Sequence, residues 1–178
     1  VKLLVLPELC ITGYTCGDLF LQPTLLQQAR AALEHIRTGS HGSDLITIVG
    51  APLLFESKLY NCAVFIQNGR FLAVVPKTYL PNYGEFYELR WFTPAPPQND
   101  SVRIGEESVP FGTRILLCCE QLPELCIAAE ICEDLWAADP PSTSHAIAGA
   151  TVIVNPSCSD EIIGKAEYRR GLVRAQSA

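Results

Sequence analysis

Short apolar runs, each stopped by a proline, a glycine or a charged cluster, recur along this chain, and stretches with helical spacing separate them. The first run, VKLLVL from Val1, is ended by Pro7 and followed at once by Glu8. That order places the carboxylate at the C-terminal end of a predicted strand. From Gln22 to Arg37, residues Leu25, Leu26, Ala29, Leu33 and Ile36 share one stripe, predicting an amphipathic helix laid over a sheet. The segment TGSHGSD then breaks it.

Leu45–Ala51 is short and β-branched and predicts a buried strand. Leu59–Gln67 and Arg70–Val75 predict two more, joined by Asn68 and Gly69, a pair suited to a hairpin turn in which both residues take positive φ. Pro76 closes the second strand and Lys77 follows, repeating the order of apolar run, proline and charge met at Glu8. Thr78–Phe92 is aromatic-rich without a period and reads as a loop folded over something; 93–108 reads as a proline-rich surface excursion. Phe111–Cys119 and Leu125–Ile131 predict a second hairpin pair. Ser142 is a fair cap for a short helix through Ala148, ATVIVNPSCS is a strand closed by Pro156, and Gly164–Ala178 is a last helix.

The strand ends carry the chemistry. LCIAAEICEDLW, Leu125 to Trp136, is a short apolar run that emerges at Cys132 with an acid pair directly behind it. In open α/β sheets ligands bind at the C-terminal edge of the strands, so a thiol there is a candidate nucleophile. Four such ends present Glu8, Lys77, Cys132 and the pair Ser157/Ser159, and a sandwich with those ends on one rim gathers them into one cleft. Taken singly, each has a plainer reading: Cys132 as a core cysteine, Glu8 and Lys77 as solvated surface charges. Taken together they make a site, because a thiol with a pKa of about 8.5 needs a base or a positive field to attack near neutral pH.

Composition narrows the class. The chain has 178 residues, 48% hydrophobic and 18% charged, which fits one folded α/β domain. A net charge of -6 and a pI near 5.0 give no reason to bind nucleic acid or an anionic membrane, and a small-molecule site is expected. Eight cysteines occur without a C-x-x-C pair and with only three histidines, so neither a zinc cluster nor a disulfide scaffold is expected and no metal is assigned. Cys62, Cys118 and Cys126 interrupt apolar runs and read as small core residues of a cytoplasmic protein. His35, His41 and His145 read as scattered surface residues. Ser159–Lys165, SDEIIGK, ends like a phosphate-binding loop but lacks its first glycine and its final Ser/Thr, so nucleotide binding there is rejected.

PELCITGY, PKTYLPNYGEFYE and EICEDLW resemble the three signature segments of the nitrilase, or carbon–nitrogen hydrolase, superfamily. Within it, ELRWF, VPFGT and NPSCSDEIIGKAEYRR resemble the glutaminase domains of glutamine-dependent NAD synthetases. The resemblance implies an αββα sandwich, incomplete at both ends, with residues 1–178 forming part of one amidohydrolase domain. It implies Cys132 as nucleophile toward the side-chain amide of L-glutamine, Glu8 as general base and acid, and Lys77 with the backbone N–H of Glu133 as oxyanion donors. Glu85 is implied as the second glutamate, orienting Lys77 and the water; Tyr83, Glu133, Trp136, Ser159 and Lys165 are implied as the glutamine pocket. Glu130 fits the pattern without an implied role. No cofactor is implied for this domain; ATP and magnesium would serve a synthetase domain of the same protein, and a homo-oligomer is expected. Two rivals stay open: another carbon–nitrogen hydrolase acting on an ω-amide, N-carbamyl or nitrile substrate, and a non-catalytic relic or interaction module.

Overall fold

The computed structural model describes residues 2–177; Val1 and Ala178, assigned above to the first strand and last helix, lie outside the described residues. Six strands form the larger sheet in the order β1-β2-β3-β4-β6-β5: β1 (Leu3–Val5), β2 (Ile46–Phe55), β3 (Lys58–Gln67), β4 (Arg70–Pro76), β5 (Asp100–Ile104) and β6 (Glu107–Phe111). A smaller sheet of β7 (Leu117–Cys118), β8 (Cys126–Ala129) and β9 (Val152–Val154) lies against it. β3 and β4 form the hairpin expected from Asn68-Gly69, with both turn residues at positive φ.

Because side chains alternate across a strand, β3 feeds two cores. Cys62, Val64 and Ile66 meet Leu33 of α1 (Pro23–Gly39) on one face, while Ala63 and Phe65 meet Ile127, Ala129 and Val154 of the smaller sheet, with Ile131 just beyond it, on the other. The outer side of the smaller sheet is met by α2 (Pro141–Ile147), and α3 (Lys165–Gln176) packs beside it on the turn Cys132–Trp136, across an open cavity from Ile153. The layers are helix, sheet, sheet, helix, the sandwich expected. Among the described residues, no helix is long and apolar enough to cross a membrane.

Three expectations fail for physical reasons. The second half of the proline-rich excursion is not loop but runs into the β5–β6 hairpin: Val102, Ile104, Val109 and Phe111 alternate into the core around a Gly105-Glu106 turn, a period of two that the prolines before it obscured. Cys118 and Cys126 are not core thiols: the antiparallel register sets them opposite each other, Cα atoms 4.1 Å apart, and they form a disulfide. His145 is buried, its Nε2 bonded to the Thr113 carbonyl at 2.8 Å, because the face of α2 that turns inward carries Ser142 and His145 while Ile147 points to solvent.

Candidate active site

Glu8 leaves β1 in a turn that lies flat on β2. A Cβ at Gly50 would overlap the Leu9 nitrogen and the Pro7 carbonyl, so glycine is required there for the close approach. The Ile11 N–H donates to the Gly50 carbonyl and pins the turn. Glu8 is thereby buried, 2% exposed, with Oε1 accepting from Lys77 Nζ at 2.6 Å and from Asn61 Nδ2 at 2.7 Å. Its other oxygen accepts the backbone N–H of Cys158 at 2.9 Å.

Lys77 follows β4 and is equally buried; its backbone N–H donates to the Asn61 carbonyl at 2.8 Å. Its second carboxylate partner is Glu88 Oε1, at 2.7 Å, and not Glu85. Glu85 is exposed on the surface beside Asp160, and the second carboxylate on Lys77, expected at Glu85, is that of Glu88. The reason lies in the backbone: the loop turns at Gly84 and enters a short 3-10 turn, Glu88–Arg90, whose first residue points inward while 82–85 stay outside. Tyr14 Oη donates to the same Glu88 oxygen at 2.7 Å.

The electrostatics follow from one ammonium shared by two buried carboxylates. Burial opposes the Lys77 charge, but Glu8 and then Glu88 outweigh it and hold the ammonium above its ordinary pKa. Burial raises the Glu88 carboxyl, and Glu8 adds to it against Lys77. Burial also pushes the Cys132 thiol up to about 12, with Glu8 adding and Lys77 opposing. Cys132 thus rests as a neutral thiol near the Glu8 carboxylate.

Cys132 opens a 3-10 turn, Cys132–Trp136, with φ 45, a conformation that costs a non-glycine residue energy and is held only where the surroundings over-determine it. They do so here. The Cys132 N–H donates to Asn155 Oδ1 and to the Pro156 carbonyl, both at 3.1 Å. Asp134 accepts from Ile131 N at 2.8 Å, Tyr79 N at 2.8 Å and Thr78 N at 3.2 Å, tying this turn to the chain after Lys77. Burial brings the Asp134 carboxyl up to about 7, against those donors.

The other expected residues gather beside this centre. Tyr83 Oη donates to both carboxylate oxygens of Glu133 at 3.0 Å. Lys165 pairs with Asp160 and lies 5.3 Å from the Trp136 ring centre and 5.8 Å from that of Phe86. Ser159 lines an open cavity of about 290 Å³ with Trp136, Asn155, Ser157 and Arg169. Glu88, Asn61, Asp134 and Asn155 were not singled out from the sequence. Asn61 had a signal, a polar residue in the middle of an otherwise buried strand; Glu88 sits in an aperiodic loop and had none.

A buried thiol on a sharp turn, a carboxylate beside it and a lysine clamped between carboxylates make a centre suited to cleaving amides or nitriles. The chain belongs to the carbon–nitrogen hydrolase family, whose model matches residues 1–174. It is 45% identical, over 99% of its length, to the glutamine-dependent NAD(+) synthetase of Mycobacterium bovis, and 33% identical, over 94%, to that of Homo sapiens. It spans only 26% and 24% of those relatives. The crystal structure of a glutamine-dependent NAD(+) synthetase from Cytophaga hutchinsonii superposes with a TM-score of 0.86 at 34% identity, covering 99% of this chain and 28% of that one.

Proposed function

We propose that this chain is the glutamine-hydrolysing part of a glutamine-dependent NAD synthetase, releasing ammonia for a synthetase part that uses ATP and magnesium. The observation that carries it is the Lys77 ammonium held between Glu8 and Glu88 beside the Cys132 turn. As the thiol sulfur attacks the side-chain amide carbon, Glu8 takes its proton, as a thiol resting neutral requires. An ammonium has three N–H donors, and two serve Glu8 and Glu88. The third, with the Glu133 N–H, is available to the oxyanion of the tetrahedral intermediate. Glu8 returns the proton to the leaving nitrogen, ammonia departs, and water activated by Glu8 cleaves the γ-glutamyl thioester to glutamate and free thiol.

Tyr83, Glu133, Trp136, Ser159 and Lys165 would hold the amino-acid end of glutamine: Glu133 suits its ammonium, Lys165 its carboxylate. Supporting this, they surround one side of the Cys132 turn. A cytoplasmic homo-oligomer is part of the same proposal. The test is a substrate panel with ammonia detection, using the full natural chain. Glutamine turned over in preference to ω-amides lacking the amino-acid head, N-carbamyl compounds and nitriles is expected; preference for one of those would make the protein a different hydrolase of the family. No turnover and no alkylation of Cys132 by a glutamine-like chloroketone would point to a non-catalytic module.

A further inference from the structure

Glu130 is a buried carboxylate, 2% exposed, two residues before the nucleophile. Among the described residues it forms no ion pair; its partners are both N–H donors. Oε2 accepts the backbone N–H of Ser142 at 3.0 Å, at the start of α2, and Oε1 accepts Asn155 Nδ2 at 3.3 Å. Asn155 Oδ1 in turn accepts the Cys132 N–H at 3.1 Å and the Ser157 hydroxyl at 2.7 Å. Ser157 Oγ stands beside the Cys132 thiol.

An asparagine amide has an acceptor end and a donor end, and either can face either way unless its neighbours decide. A backbone N–H only donates, so Cys132 needs the oxygen end. A carboxylate only accepts, so Glu130 draws the NH2 end to itself and fixes the oxygen on the Cys132 side. The residue so held is the one at φ 45; its N–H also reaches the Pro156 carbonyl at 3.1 Å, so losing the Asn155 oxygen removes one of the two acceptors that hold this strained turn.

We propose that Glu130 is a positioning residue for Cys132, setting the orientation of the Asn155 amide that holds the nucleophile's backbone and the Ser157 hydroxyl beside its thiol. The proposal rests on the glutaminase function above for its kinetic readout, and on alkylation for a readout independent of it.

The experiment is a reciprocal exchange in the full natural chain: Glu130→Gln, Asn155→Asp, and both together. Glu130→Gln leaves one oxygen for two donors, so one contact becomes NH against NH. Asn155→Asp sets two carboxylates face to face. In the double variant the introduced glutamine accepts from the Ser142 N–H and donates to the introduced aspartate. The other oxygen of that aspartate accepts from Cys132 and Ser157, so every group is satisfied again. Each single change should lower kcat for glutamine about tenfold or more with KM within about twofold, as expected when a reacting group is displaced. The double change should recover kcat to within a few fold of the unaltered protein. Iodoacetamide labelling of Cys132, read against Cys158 by peptide mass, should fall and recover in parallel.

A double variant as impaired as the worse single, or singles with normal kcat, overturns the proposal. If Glu130→Gln does not fold, a folded double variant with low kcat overturns it, because Glu130 would then support the fold alone. If neither folds, Asn155→Ala must lower kcat at unchanged KM, and normal kcat refutes the relay. A protein that turns over no glutamine while labelling follows the exchange would refute the function and leave the positioning role standing.

Discussion

Lys77 Nζ donates to Glu88 Oε1 at 2.7 Å, across eleven residues of a loop that leaves its intervening Glu85 on the surface. Spacing to the lysine therefore does not choose the carboxylate that reaches it; the inward turn at 88 does. Glu88→Gln should lower kcat by up to about 10²-fold through a misplaced Lys77, with Glu85→Gln within about threefold of normal. Steady-state kinetics of the two variants decide between them, and the opposite ranking would restore Glu85.

The thiol resting near 12 makes a prediction with opposed signs. Glu8 raises that value, so Glu8→Gln should lower it, and the pH midpoint of iodoacetamide labelling at Cys132 should move down. Amide hydrolysis should nonetheless fall steeply, because the proton acceptor is gone. A labelling profile that moves up, or unchanged hydrolysis, would remove Glu8 as base.

Lys77 compensates two buried carboxylates, so its loss affects the fold as well as the chemistry. Lys77→Met should cost about 3–5 kcal/mol of stability in urea unfolding, as uncompensated buried charge does. It should also lower kcat by about 10²-fold in the fraction that stays folded. Full stability would mean that the two carboxylates take up protons in its place.

Lys165 is already paired with Asp160 and faces two aromatic rings. Lys165→Ala should raise the glutamine KM by roughly ten- to a hundredfold, a charge-assisted contact being worth about 1.5–3 kcal/mol. It should barely alter turnover of a simple amide that lacks the carboxylate. Equal losses on both substrates would assign Lys165 to the fold.

The Cys118–Cys126 disulfide closes a short loop beside the strand that leads to Cys132. In oxidising buffer Cys126→Ser should lower stability by about 2–3 kcal/mol, and in the presence of a dithiol reductant the difference should vanish. Thermal unfolding under the two conditions measures it.

The framework on which the site stands is legible in the order of residues alone. Apolar runs closed by Pro7 and Pro76 set Glu8 and Lys77 at strand ends, and LCIAAEI set Cys132 at a third, because strand period and proline stops are local properties of the chain. The Asn68-Gly69 hairpin and the stripe of α1 were legible for the same reason. Which polar groups meet is settled by the folded chain. Glu88 rather than Glu85, Asn61 between the carboxylates, Asn155 under Cys132, and Cys118 opposite Cys126 are products of register and loop path between segments far apart in sequence. His145 and the β5–β6 hairpin show the same limit, since burial depends on what packs against a segment. A buried polar group must find its complement wherever the fold supplies one, and composition and period do not carry that address.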